Sequence, residues 1–295
     1  YQHVLDFSRK EVVDTIFQMI SDILKDGSVT YVKWDMNRSI TECWSAALPA
    51  DRQGEVFHRY ILGVYDLYER LTSTFPQVLF ESCASGGGRF DPGLLYYAPQ
   101  GWTSDNTDAI ERLKIQYGTS FCYPVSSMGA HVSTSPNHQV GRATPLSTRA
   151  NVACFGTSGY EMDLNRLSER ELAEIKDQVT FMKKWRRLLQ YGTFFRLKSP
   201  FDGNIASWMT VSDDRSQAIV GWYRILNSVN PPYTRMKLAG LDPDRLYKVS
   251  KDGVFLGEFY GDELMNVGLI TSDACSGESP DAPDASHDFE SRIYI

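Results

Sequence analysis

Apolar positions recur at helical spacing near the start of the chain, where Val13, Ile16, Ile20 and Leu24 fall on one stripe of a helix predicted over residues 9–26. Ser8 followed by Glu11 predicts a capping box at its start, and Gly27 predicts its stop. The run from Val29 to Trp34 predicts a buried strand. Val56, Tyr60, Val64, Leu67 and Leu71 then mark a second amphipathic helix over 54–74. The alternation continues with strands predicted near 78–82, 101–104, 120–125 and 157–162. Helices are predicted near 108–117, 144–154 and 168–190, the last opened by a second capping box, Ser168 and Glu171. Five strands alternating with helices predict a parallel α/β sheet or barrel; a complete (β/α)8 barrel needs eight.

The texture changes near residue 193. Short runs at Ile205 to Val211, Ala218 to Tyr223, Arg235 to Leu238, Leu246 to Lys251 and Val254 to Phe259 are punctuated by Asp, Gly and Pro, which predicts a small antiparallel all-β domain. The expected division is therefore 1–192 for the α/β part and 193–295 for the β part. Residues 272–288, rich in Ser, Asp, Gly and Pro, predict a loop.

Composition narrows the possible partners. With 42% hydrophobic and 23% charged residues, the chain has the makeup of a globular protein. Its net charge of -7 disfavours nucleic acid, because a duplex binder neutralises phosphates with clustered Lys and Arg. Five cysteines form an odd set with no C-x-x-C pair, so neither a disulfide framework nor a thiolate zinc site is predicted, and a reducing cytoplasm is the expected compartment. No run approaches the roughly 18 apolar residues of a membrane span, and Tyr1 to Lys10 lack the regions of a signal peptide. Because the chain begins with Tyr, a fragment is an open expectation.

Three segments carry candidate chemistry, each where a predicted strand ends. In Tyr31-Val32-Lys33-Trp34-Asp35-Met36-Asn37-Arg38, alternation puts Lys33 and Asp35 on one face. The ammonium of Lys33 is expected to favour the ionised form of Asp35, the form a nucleophile needs; a structural Lys-Asp ion pair is the alternative. In Trp102-Thr103-Ser104-Asp105-Asn106-Thr107-Asp108, Asp105 lies at the strand end. Asp108, with Glu111 three residues on, predicts a helix N-cap instead. Trp102 nearby would help keep a carboxyl protonated, as an acid catalyst requires. Two aspartates at strand ends of one barrel suit a glycosidase mechanism; in a retaining enzyme the two carboxyl groups stand about 5 to 5.5 Å apart, a separation that strand ends can hold. In Glu81-Ser82-Cys83-Ala84-Ser85-Gly86-Gly87-Gly88-Arg89, the glycines would let backbone amides approach a ligand, although a tight loop is the more frequent explanation of such a run. Cys83 at the strand end would touch a ligand or simply pack. His131 and His138 lack a third ligand, and Ser126 and Ser127 lack a nucleophile elbow, so no metal site and no serine triad is predicted.

Through these motifs, and through Arg89-Phe90-Asp91-Pro92-Gly93 and Glu111-Arg112-Leu113, the chain resembles glycoside hydrolase family 36, the α-galactosidases that act on melibiose, raffinose and related oligosaccharides. The resemblance implies a (β/α)8 barrel followed by an antiparallel β domain, and double displacement with retention. Its nucleophile falls on Asp35 and its acid/base on Asp105. Its galactose-binding positions fall on Lys33 and Asn37, with Cys83 and Gly86 lining the pocket; Trp34, Met36 and Trp102 are the further expected substrate-binding residues. No metal or organic cofactor is implied. In the family the two aspartates lie on the fourth and sixth strands; here they fall on the first and third of five. The preceding β-sandwich and three barrel strands, with a pair of acidic groups for galactose hydroxyls, are absent from this sequence. The chain alone is therefore expected to be inactive or poorly stable, with two open sheet edges. The resemblance further implies a cytoplasmic homo-oligomer, commonly a tetramer. Galactosyl transfer to another sugar, preference for N-acetylgalactosamine and non-catalytic sugar binding remain alternatives.

Overall fold

The computed structural model describes residues 3–228, 233–271 and 288–295. They form two compact units, one ending at Asp105 and the other running from Asn106 to Ile295. This division differs in kind from the expected boundary at 192/193, which follows the change in strand type. The loop expected at 272–288 lies, apart from Asp288, outside the described residues.

The first unit contains α1 (Lys10–Leu24), β1 (Tyr31–Asp35), α2 (Val56–Thr74), β2 (Leu79–Cys83), α3 (Pro92–Tyr97) and β3 (Gln100–Trp102). The strands run parallel, β1 beside β2 and β2 beside β3. All five stripe residues of α2 are buried. Tyr60, Val64, Leu67 and Leu71 share one core with Val13 and Leu24 of α1, Phe80 of β2 and Leu94 of α3, and Val32 and Trp34 of β1 pack onto it. Helices thus cover one face of β1, and alternation sends Tyr31, Lys33 and Asp35 to the other, where they are exposed. The strand is half-exposed, not buried as its run of apolar residues predicts, because only every second residue meets the helices.

The first capping box does not form. The backbone amide and hydroxyl of Ser8 both donate to Asp6 Oδ1, at 3.1 and 2.5 Å, and α1 has no side-chain cap. A turn closed by an aspartate two residues away has taken the Ser8 hydroxyl that the box requires. Gly27 does end the helix region, at a φ of 72° that favours glycine, with its amide on Leu24 O.

The second unit contains α4 (Ala109–Thr119), β4 (Met128–Ser133), α5 (Leu146–Ala153), β5 (Thr157–Glu161) and α6 (Glu169–Tyr191), with β4 and β5 parallel. The capping box at Ser168 and Glu171 is complete. The strand predicted at 120–125 is a turn instead, and the strand begins at Met128. The amides of Cys122 and Tyr123 both bond to Thr119 O at 3.0 Å, so they close the end of α4 and are unavailable to a ladder.

The chain continues through β6 (Thr193–Lys198), β7 (Ile205–Val211), β8 (Ala218–Arg224), β9 (Arg235–Met236), β10 (Leu246–Lys251), β11 (Val254–Tyr260), α7 (Gly261–Asn266), β12 (Leu269–Ile270) and β13 (Glu290–Tyr294). Six of these strands form an antiparallel sheet in the order β11-β10-β13-β8-β7-β6, and β9 pairs with β12. On one face Trp208, Ile219 and Tyr223 share a core with Leu113, Phe155 and Leu189; on the other Met209, Val220 and Trp222 pack with Leu241 and Leu264.

Candidate active site

The parallel register of the first unit arranges its polar residues in rows. Lys33 stands opposite Glu81, and Glu81 opposite Gln100; one row further toward the carboxyl ends, Asp35 stands opposite Cys83. Lys33 does not pair with Asp35 as expected. Its Nζ lies 3.4 Å from Glu81 Oε1 and 4.9 Å from the centre of the Trp102 ring. Geometry explains the choice: a neighbouring strand is about 4.8 Å away, whereas the next same-face residue along a strand is about 6.6 Å away.

Asp35 is exposed, and its Oδ2 accepts a 2.7 Å hydrogen bond from the amide of Asn37. Cys83 is buried beside it. Burial, and a hydrogen bond to Asp35, push the Cys83 thiol up to about 11, against a lowering by the Gly86 backbone. The thiol is therefore neutral at pH 7 and presents no charge to Asp35.

Asn37 is fixed by the segment that follows β2. Its Oδ1 accepts from the amide of Ser85 and its carbonyl from the Ser85 hydroxyl, both at 2.8 Å. Ser85 adopts a φ of 50°, uncommon for a residue with a side chain. The guanidinium of Arg89 donates to Met36 O and, at 3.3 Å, to Arg38 O. The glycines bring the same segment against the end of β3. A Cβ on Gly86 would stand 2.7 Å from the Asp105 amide nitrogen, and one on Gly87 2.5 Å from Thr103 O. Their small size thus serves backbone contact between two strand ends. One loop touches both the Asp35–Asn37 pair and the backbone of Asp105, whose side chain is exposed.

The remaining expected residues divide by strand face. Trp102 is buried beneath Lys33. Trp34 and Met36 point the other way, into the helix-facing core, where the Trp34 ring lies 5.9 Å from that of Tyr68. Both also line, with Asp35, Asn37 and Arg89, a cavity of about 450 Å³ beside the strand end. Asp108 is the N-cap of α4, accepting from Glu111 N at 3.0 Å and ion-paired with Arg142. Glu81, Ser85 and Arg89 lie within a motif visible in the sequence, but their partners are set by register and loop closure.

Residues 1–192 match the family described as Melibiase, and residues 205–295 match the glycosyl hydrolase family 36 C-terminal domain. The chain belongs to the melibiase family. It is 56% identical over 268 residues to alpha-galactosidase AgaA of Geobacillus stearothermophilus and 51% identical over 269 residues to alpha-galactosidase Mel36A of Lactobacillus acidophilus. Each match covers 91% of this chain and 36% of the relative, so the chain spans little more than a third of their length. The crystal structure of AgaA matches with a TM-score of 0.91 at 52% identity, over 99% of this chain and 38% of that one. Variants of AgaA have been solved with raffinose and with stachyose. The fold of this melibiase-family chain is the expected one: five strands of a partial (β/α)8 barrel, then an antiparallel β domain.

Proposed function

We propose that this chain is the carboxyl-terminal part of a retaining α-galactosidase that hydrolyses terminal α-galactosyl residues of raffinose- and melibiose-type oligosaccharides. Asp35 is the nucleophile and Asp105 the acid/base. The Asp35 carboxylate attacks the anomeric carbon while the Asp105 carboxyl protonates the departing glycosidic oxygen, leaving a galactosyl ester on Asp35. The Asp105 carboxylate then takes a proton from water, whose oxygen attacks the same carbon, frees Asp35 and regenerates the acid, with net retention. Lys33 and Asn37 bind galactose hydroxyls, and Cys83, Gly86 and Trp102 border the site.

The observation that carries this reading is the single loop that holds Asn37 against Asp35 and abuts the Asp105 backbone. The α-galactosidase relatives support it further. In the AgaA variants solved with raffinose and stachyose, the two replaced aspartates are separated by the same number of residues as Asp35 and Asp105. We also propose a division of the intact protein at 192/193 and a homo-oligomeric assembly. A reducing cytoplasmic setting is favoured by the free thiols of Cys43, Cys83, Cys122 and Cys154.

The test is release of nitrophenol from α- and β-galactosides by a protein of the relatives' full length carrying this chain, alongside its Asp35→Ala variant. Turnover of the α-anomer alone, lost on substitution, is the expected result. A folded protein that binds galactose yet turns over neither anomer would replace hydrolysis with sugar binding.

A further inference from the structure

Glu81 is a carboxylate where a strand interior would ordinarily hold an apolar side chain. Its side chain is 3% exposed, whereas that of its partner Lys33 is 37% exposed. Oε2 accepts from the hydroxyl of Tyr31 and, at 3.2 Å, from Nε2 of Gln100. Oε1 accepts no hydrogen bond from a described residue and faces the Lys33 ammonium. Partial burial, and after it the bond to Glu81, hold the Tyr31 phenol well above its ordinary value, so it stays a donor. Three strands thus contribute to one buried anion: Tyr31 and Lys33 from β1, Glu81 from β2 and Gln100 from β3.

A buried carboxylate is costly unless it is paired, and its cation is correspondingly committed to it. Lys33 is the cation nearest in sequence to Asp35 on the same face, yet among the described residues Asp35 makes no ion pair and takes its hydrogen bond from the neutral amide of Asn37. A nearby ammonium favours the ionised form of Asp35, but one bound directly to its oxygens would occupy the lone pairs that must attack the anomeric carbon.

We infer that Glu81 is a positioning residue that holds the Lys33 ammonium one row below Asp35, where it meets a sugar hydroxyl without neutralising the attacking carboxylate. The role rests on the proposed assignment of Asp35 and Lys33. Tyr31 and Gln100 complete it by saturating the far oxygen of Glu81, which leaves the near one for Lys33.

Charge and shape make opposite demands at this position, and two substitutions separate them. Glu81→Gln keeps the shape and removes the charge; Glu81→Asp keeps the charge and leaves a gap of one methylene. Assayed on a nitrophenyl α-galactoside in the full-length protein, Glu81→Gln is expected to lower kcat/KM by about 10- to 100-fold, and Glu81→Asp to retain more activity than Glu81→Gln. Glu81→Gln equal to or better than Glu81→Asp, or within about threefold of the parent, overturns the inference and leaves Glu81 as packing. If Glu81→Gln does not fold, Tyr31→Phe combined with Gln100→Met decides. A fall in kcat/KM beyond about threefold supports the role, and a smaller one overturns it. Asp35→Ala is assayed in parallel. Persistent turnover in that variant overturns the catalytic assignment itself, whereas its inactivity beside a fully active Glu81→Gln overturns only the positioning role.

Discussion

The strands β1 and β2 of the first unit and β7 and β8 of the second have opposite designs. Along β7 and β8 every residue after the first is buried, and Trp208, Trp222 and Tyr223 fill both faces of the sheet. In β1 the residues on the face away from the helices are Tyr31, Lys33 and Asp35, all exposed, and β2 adds the buried Glu81 to the same side. One pair of strands gains stability from apolar burial; the other carries charges that burial alone would disfavour, and each charged group there has a named partner. The contrast separates residues whose loss should damage the fold from those whose loss should damage chemistry.

The largest effect expected from breaking that contrast is at Asp35. In the full-length protein Asp35→Ala should reduce kcat on an α-galactoside by about 1,000-fold or more while leaving the unfolding temperature close to the parent's. A large drop in unfolding temperature would show that the exposed carboxylate also supports the fold. Trp208→Ala should do the reverse, costing about 3–5 kcal/mol of stability through a cavity in the core shared with Phe155 and Tyr223. Denaturant unfolding checks it, with galactose affinity of the folded fraction as the control. Gly86→Ala is intermediate in size and sharpens the comparison, since both its φ of 75° and its contact with the Asp105 amide resist a side chain. Its kcat should fall about 10- to 100-fold, because a displacement near 1 Å suffices for that. Unchanged kcat would mean that the loop does not set the position of Asp105. Ser168→Ala, at the capping box of α6, should cost only about 1 kcal/mol and leave turnover as it is.

Much of this was legible in the sequence wherever a periodic stripe met a layer of neighbours. Val56, Tyr60, Val64, Leu67 and Leu71 define α2 because they repeat on one face, and all five are buried. The fourth strand was misplaced because Phe121, Cys122 and Tyr123 have the bulk of strand residues, whereas Gly129, Ala130 and His131 do not. The latter form the strand because the parallel pairing with β5 holds them there. The N-cap role of Asp108 was readable from local spacing, and so was the shared face of Lys33 and Asp35. The partner of Lys33 was not, since it depends on which residue of β2 stands opposite. Ser85 and Arg89 escaped for the same reason: each reaches back some fifty residues to Asn37, Met36 and Arg38, contacts that no local pattern encodes.

The segment Ser85 to Arg89 has a consequence for anyone altering substrate preference by recombination. Ser85 ties down Asn37, Arg89 ties down the carbonyls on either side of it, and Gly86 and Gly87 lie flush with Thr103 to Asp105. A library that exchanges the turn after β1 between homologues without the turn after β2 would splice halves of two different clasps. Residues 36–38, 85–89 and 103–105 are better inherited as one cassette, and diversity introduced outside it.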